Sequence, residues 1–128
     1  MANENNPTKT ELEILSVIWE RETATVREVH EILNARKPTG YTTVLKLLQI
    51  MDEKGLVERD KTNRAHVYRA KTKQKETGKQ MLDDVLQKVF GGSALKLVQQ
   101  VLETETTSAE ELKQIRRMIE RAEKGENK

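Results

Sequence analysis

Two small clusters of residues carry the side chains best suited to holding a ligand: Tyr41, Thr42, Thr43 and Lys46, and further on Lys61, Asn63 and Arg64. Short hydroxyl groups at the start of a helix can bond base edges where the backbone comes close to a phosphate. Lys46, one turn further in, reaches either a guanine acceptor edge or a phosphate, and phosphate contacts are the commoner kind. Lys61, Asn63 and Arg64 make a cationic tip suited to phosphates or to the minor groove beside such a helix. Taken alone, Thr42 and Thr43 read equally as helix caps and Lys46 as a solvated charge. A basic hairpin tip alone reads more readily as a solubility device. It is the two clusters together, joined by a short stretch of chain, that favour recognition of a DNA duplex.

The stretch from Tyr41 to Lys71 supplies the elements that would position them. Val44, Leu45, Leu47, Leu48 and Met51 form an inward apolar stripe, with Thr42, Thr43, Lys46 and Gln49 opposite. Ile50 is assigned to the core rather than to a thymine methyl. Gly55, after Lys54, supplies the left-handed residue that ends a helix. Leu56–Arg59 and His66–Arg69 then alternate as two short strands, with Lys61-Thr62-Asn63-Arg64 as the turn. Upstream, Thr8 with Glu11, or Thr10 with Glu13, offers a capping box for a first helix whose Leu12, Leu15, Ile18 and Trp19 face the core. Thr23-Ala24-Thr25 is long enough only for a minimal strand. Thr25 and Glu28 repeat the capping signature before a second helix carrying Val29, Ile32 and Leu33, and Lys37-Pro38-Thr39-Gly40 breaks it. Two helices joined by a tight turn and followed by a hairpin spell a winged helix-turn-helix.

The charge is segregated along the chain. Thr8 to Ile32 holds three cations and six acids, whereas Leu33 to Lys71 holds nine cations and four acids. The net +2 of the whole chain hides a basic excess that coincides with the third helix and the hairpin. With 128 residues, 35% hydrophobic, 34% charged and 3% aromatic, one modest core is the ceiling. There is no cysteine, which rules out disulfides and thiolate metal sites and suits a reducing cytoplasm. His30, read as a surface helical residue, and His66, read as a strand residue, cannot make a metal site alone. No cofactor is expected. No membrane-spanning run and no secretion signal are evident, so a soluble, cytoplasmic protein is expected. No nucleophile–base pair or phosphate-cradling glycine loop points to an enzyme.

Beyond Lys71 the pattern is helical only. Leu82, Val85, Leu86, Val89 and Phe90 recur at helical spacing, Gly91-Gly92 interrupts, and Ser93 restarts a helix with Leu95, Val98, Val101 and Leu102. Ser108 and Glu111 cap a last helix bearing Leu112, Ile115, Met118, Ile119 and Ala122. Such stripes cannot bury themselves, and the same helices of a second chain would cover them, with Leu86, Phe90, Leu95, Val98, Val101, Leu102, Leu112, Ile115 and Ile119 at the interface. The expected plan is mainly α with a small β-hairpin: a disordered start over 1–7, a winged helix-turn-helix domain over 8–71, a helical dimerisation region over 72–124 and a disordered tail over 125–128.

With these residues placed, the chain resembles the penicillinase-repressor family of winged-helix regulators, which includes methicillin-resistance repressors and copper-responsive relatives. The resemblance rests on Thr10-Glu11-Leu12-Glu13-Ile14-Leu15 leading to Trp19, on Tyr41-Thr42-Thr43-Val44, on Glu53-Lys54-Gly55-Leu56-Val57 and on Phe90-Gly91-Gly92. It implies a homodimeric repressor on a palindromic DNA operator, answering to an upstream sensor whose identity stays open. The chain also departs from the family. Arginine is common where Ile50 stands and threonine where Lys46 stands, so a relative's operator sequence does not carry over. An asparagine–phenylalanine pair, cut in penicillinase-type members by a sensor-linked protease, is matched here by Gln100-Val101. The cysteines through which copper-responsive members bind metal are absent. The competing reading is a winged-helix module that docks another protein and never touches DNA.

Overall fold

The computed structural model describes residues 6–62 and 64–125. Its elements run α1 (Lys9–Arg21), β1 (Thr23–Thr25), α2 (Val26–Arg36), α3 (Tyr41–Glu53), β2 (Val57–Asp60), β3 (Val67–Ala70), α4 (Gln74–Lys88), α5 (Ala94–Thr104) and α6 (Ala109–Glu123). The chain forms two compact units, Met1–Asp84 and Val85–Lys128. The first therefore takes in the opening turns of α4 as well as residues 8–71.

In the first unit the caps are local and chemical. Of the two candidates for the start of α1, Thr8 is the cap: its hydroxyl accepts from the Glu11 amide at 3.2 Å and the Glu11 carboxylate accepts from the Thr8 amide at 2.9 Å. Thr25 and Glu28 make the same reciprocal pair ahead of α2. These boxes satisfy amides that the first helical turn leaves unbonded. The core joins Ile14, Leu15, Val17 and Ile18 of α1 to Val26, Val29 and Leu33 of α2, Val44, Leu48 and Met51 of α3, and Val57 and Tyr68 of the sheet. Leu15 and Ile18 are buried as their spacing requires, while Leu12 is only half-buried. Trp19 lies at the core's edge and its indole N–H donates to the Thr72 carbonyl at 2.8 Å, so it is a packing residue rather than a stacking platform.

β1 is a strand in its own right, making a three-stranded antiparallel sheet in the order β1-β3-β2, with Thr23 opposite Arg69 and Arg59 opposite Tyr68. Both hairpin strands start one residue later than the alternation suggests. The reason is hydrogen bonding: the Leu56 amide closes the end of α3 on the Met51 carbonyl at 2.9 Å, and the His66 carbonyl accepts the Val26 amide at 3.1 Å. Gly55 has φ +81°, the left-handed conformation expected of it. α1 ends on Glu22 at φ +72°, where no glycine announces the turn.

The second unit is helical. Gly91 and Gly92 both have positive φ, the Gly92 amide bonds the Leu86 carbonyl at 2.8 Å, and Ser93 caps α5 by accepting from the Lys96 amide. Ser108 caps α6 by accepting from the Glu111 amide at 3.1 Å. Neither α5 nor α6 contains a buried residue. No helix among the described residues is long and apolar enough to cross a membrane.

Candidate nucleic-acid interface

The outward side of α3 is the centre of the candidate site. Val44, Leu48 and Met51 are fully buried, which turns Thr42, Thr43, Lys46 and Gln49 outward, all exposed. Tyr41, at the first position, is 44% exposed. Gly40 caps α3 without a side-chain bond, so the first-turn amides have no capping acceptor of their own. Ile50 does not join the core: it is 37% exposed. At about 100° per residue it lies roughly 20° round the helix from Thr43 and 40° from Lys46, beside the polar arc rather than within the stripe.

The loop that delivers α3 is held by two side chains of α2, His30 and Asn34, for which the sequence suggested no such role. His30 is half-buried rather than a surface residue; its Nε2 meets the Thr39 carbonyl at 2.8 Å, and because a carbonyl only accepts, this nitrogen carries the proton. The His30 ring also stands edge-on to Tyr41, centroids 5.7 Å apart at 74°. Asn34, one turn along α2, accepts the Thr39 amide on Oδ1 at 3.0 Å, and the Thr39 hydroxyl donates to the Lys37 carbonyl at 2.7 Å. The available signal was a pair of polar residues four apart, facing a proline–glycine turn. His30→Ala is expected to cost about 1 kcal/mol of stability and to speed amide exchange of the α3 first turn more than that of its middle. Equal exchange in both would show that the bond does not hold the loop.

The wing carries the second cluster. Lys61 and Arg64 are exposed, whereas Asn63 lies outside the described residues. Asp60 accepts the Thr62 hydroxyl and amide at 2.6 and 2.9 Å, which shapes the turn and holds its carboxyl below the usual carboxylate range. On the wing strands Arg69 is paired with Glu58 at 3.0 Å. Arg21, Arg27, Lys54 and Arg69 are each held in an ion pair, and Lys46, Lys61 and Arg64 take part in none of those four. Those three cations and the α3 hydroxyls belong to the same compact unit. No group of acids and histidines among the described residues is arranged to hold a metal ion.

Residues 7–121 match the penicillinase repressor family. The chain belongs to that family. Among the relatives of this penicillinase repressor family member is the transcriptional regulator BlaI of Mycobacterium tuberculosis, 45% identical over 56 residues, which are 43% of this chain and 41% of that regulator. The chain therefore aligns with less than half the length of that relative. The methicillin resistance regulatory protein MecI of Staphylococcus aureus is 23% identical over 109 residues, 85% of this chain and 89% of its own. A winged helix followed by helices is the architecture expected from the resemblance in sequence, and the family member described here has it.

The residues expected at a dimer interface all fall on α4 to α6 or on the turn after α4. Leu86, Phe90 and Ile115 are half-buried, while Val98, Val101, Leu102, Leu112 and Ile119 are exposed and Leu95 is 69% exposed. The second unit of this repressor-family chain thus displays an apolar face that its own helices leave open to water.

Proposed function

We propose that this chain is a transcriptional repressor that binds a palindromic DNA operator as a homodimer in the cytoplasm, laying α3 in the major groove and the wing on the flanking backbone or minor groove. The carrying observation is the split of α3 into a fully buried apolar side and an exposed side bearing Thr42, Thr43 and Lys46, in one unit with the exposed Lys61 and Arg64. Threonine hydroxyls and Lys46 reach base edges or phosphates, Tyr41 and the first-turn amides approach the backbone, and the wing cations, with Asn63 between them, hold the flanking phosphates. Regulator relatives and membership of the family support the repressor assignment. The open apolar face of α5 and α6 supports pairing with a second copy, which sets two heads at a fixed half-site spacing. Repression is then occlusion of a promoter, relieved by a sensor-linked signal acting on the helical tail.

A mobility-shift titration against genomic fragments at graded salt tests this. Affinity is expected to fall linearly on a logarithmic plot against salt. Lys46→Ala should weaken the best fragment about tenfold and alter sequence preference. Arg64→Ala should weaken all duplexes evenly and shallow the salt slope by about one unit per protomer. A protein-docking module would give no salt-sensitive shift on any duplex, and unchanged affinity in both variants would refute the proposed surface.

A further inference from the structure

Within the winged helix, residues 8–71, the exposed large apolar side chains among the described residues are Tyr41 and Ile50, and both stand on α3. Tyr41 is accounted for by its edge contact with His30. Ile50 has no such role. It is not in the core cluster nor among the residues packed against it. It continues the arc of Thr43 and Lys46 about two turns into the helix. A single exposed isoleucine on a surface is unremarkable in itself. Its position decides the matter: a major-groove helix at that depth faces base edges, and the apolar feature those edges offer is the thymine C5 methyl group. An isoleucine there gains from a methyl and leaves a guanine or cytosine edge without a hydrogen-bond partner, so it both favours thymine and penalises the alternatives.

We infer that Ile50 is a specificity-determining residue that reads a thymine methyl group in each half-site, next to the bases or phosphates reached by Thr43 and Lys46. The inference rests on the duplex-binding reading of α3 and adds to it a base identity. The flanking Gln49 is exposed on the polar side of the same helix and is free to bond an adjacent base edge or phosphate.

The full-length protein and its Ile50→Ala and Ile50→Gln variants are each used to select duplexes from a randomised pool. The wild type is expected to demand thymine at one position of each half-site, Ile50→Ala to lose that demand while keeping the rest of the site, and Ile50→Gln to shift it towards adenine. Replacing that thymine by uracil removes only the methyl group and is expected to weaken the wild type about fourfold and Ile50→Ala not at all. Wild-type binding indifferent to uracil at every thymine, or identical selected sites for wild type and Ile50→Ala, overturns the inference while leaving the Lys46-dependent interface standing. If no duplex is enriched and no salt-sensitive binding is found, the interface and the inference fall together.

Discussion

Leu95→Asp combined with Leu112→Asp is expected to leave the chain monomeric and to lower its affinity for a duplex carrying two half-sites about a hundredfold or more. The physical ground is the contrast between the two units. In the first, every helix before α4 buries an apolar stripe in one shared core. In the second, α5 and α6 bury nothing completely, and Leu95, Val98, Val101, Leu102, Leu112 and Ile119 all face water. A helix whose apolar stripe stays wet gains little from tertiary packing, so these helices need a cover, and a second copy presents the matching face by symmetry. Aspartates placed there carry charge into the would-be interface without touching the core of the winged helix. Light scattering after size exclusion should give a dimer for wild type and a monomer for the double variant, with the head still folded by circular dichroism. Binding to a single half-site should hardly change, because each head is intact, whereas the two-site duplex loses the second, now untethered, contact. A wild-type monomer, or a double variant that remains dimeric, would remove the homodimer from the proposed mechanism.

The parts of this fold that were legible in the sequence are those decided within a few residues. Thr8 with Glu11 and Thr25 with Glu28 are three apart, Gly55 meets a positive φ, and Ser93 and Ser108 cap their helices, so all were readable from spacing alone. The alternation of the wing is legible, but both strands begin one residue later than it suggests because the Leu56 amide goes to the Met51 carbonyl of α3 and the His66 carbonyl accepts the Val26 amide of α2, partners invisible to a period-two pattern. Ile50 is exposed yet reads from its sequence neighbours as core, for a related reason: periodicity locates a stripe but not its edge, and a residue beside Met51 is easily drawn into it. His30 reads from sequence as a surface residue because its partner, Thr39, lies across a loop whose shape no local rule supplies. In the candidate interface, residue types were readable and residue positioning was not. The exposure of Thr42, Thr43 and Lys46 follows from the stripe, while the grip of α2 on the loop before them depends on bonds across the turn that no spacing rule encodes.

The same limit applies to Lys54, whose sequence neighbours suggest only a helix end. In space it reaches back to the start of the domain: its ammonium lies 2.7 Å from the Glu11 carboxylate, which also accepts the Thr8 amide. One buried oxygen thus joins the cap of α1 to the last turn of α3, and Glu11 keeps only 3% of its side-chain exposure. Burial by itself would raise the Glu11 carboxyl, but the bond from Lys54, the Thr8 amide and the nearby positive charge outweigh it and hold the group below its ordinary 4.5. A carboxyl held low when folded contributes stability that is present above 4.5 and is lost as the pH falls through its folded value. Lys54→Met is therefore expected to cost about 2–4 kcal/mol near neutral pH, since it strands a buried carboxylate. Glu11→Gln removes the buried charge together with its titration, and its unfolding free energy should fall less steeply than that of wild type on acidification below 4.5. Urea unfolding from about pH 7, where carboxylates are ionised, down to about pH 3, below the ordinary glutamate value, separates the three proteins. Parallel acid profiles for wild type and Glu11→Gln, or a neutral-pH cost for Lys54→Met below about 1 kcal/mol, would mean that the pair is an ordinary surface contact and that α3 takes its orientation from apolar packing alone.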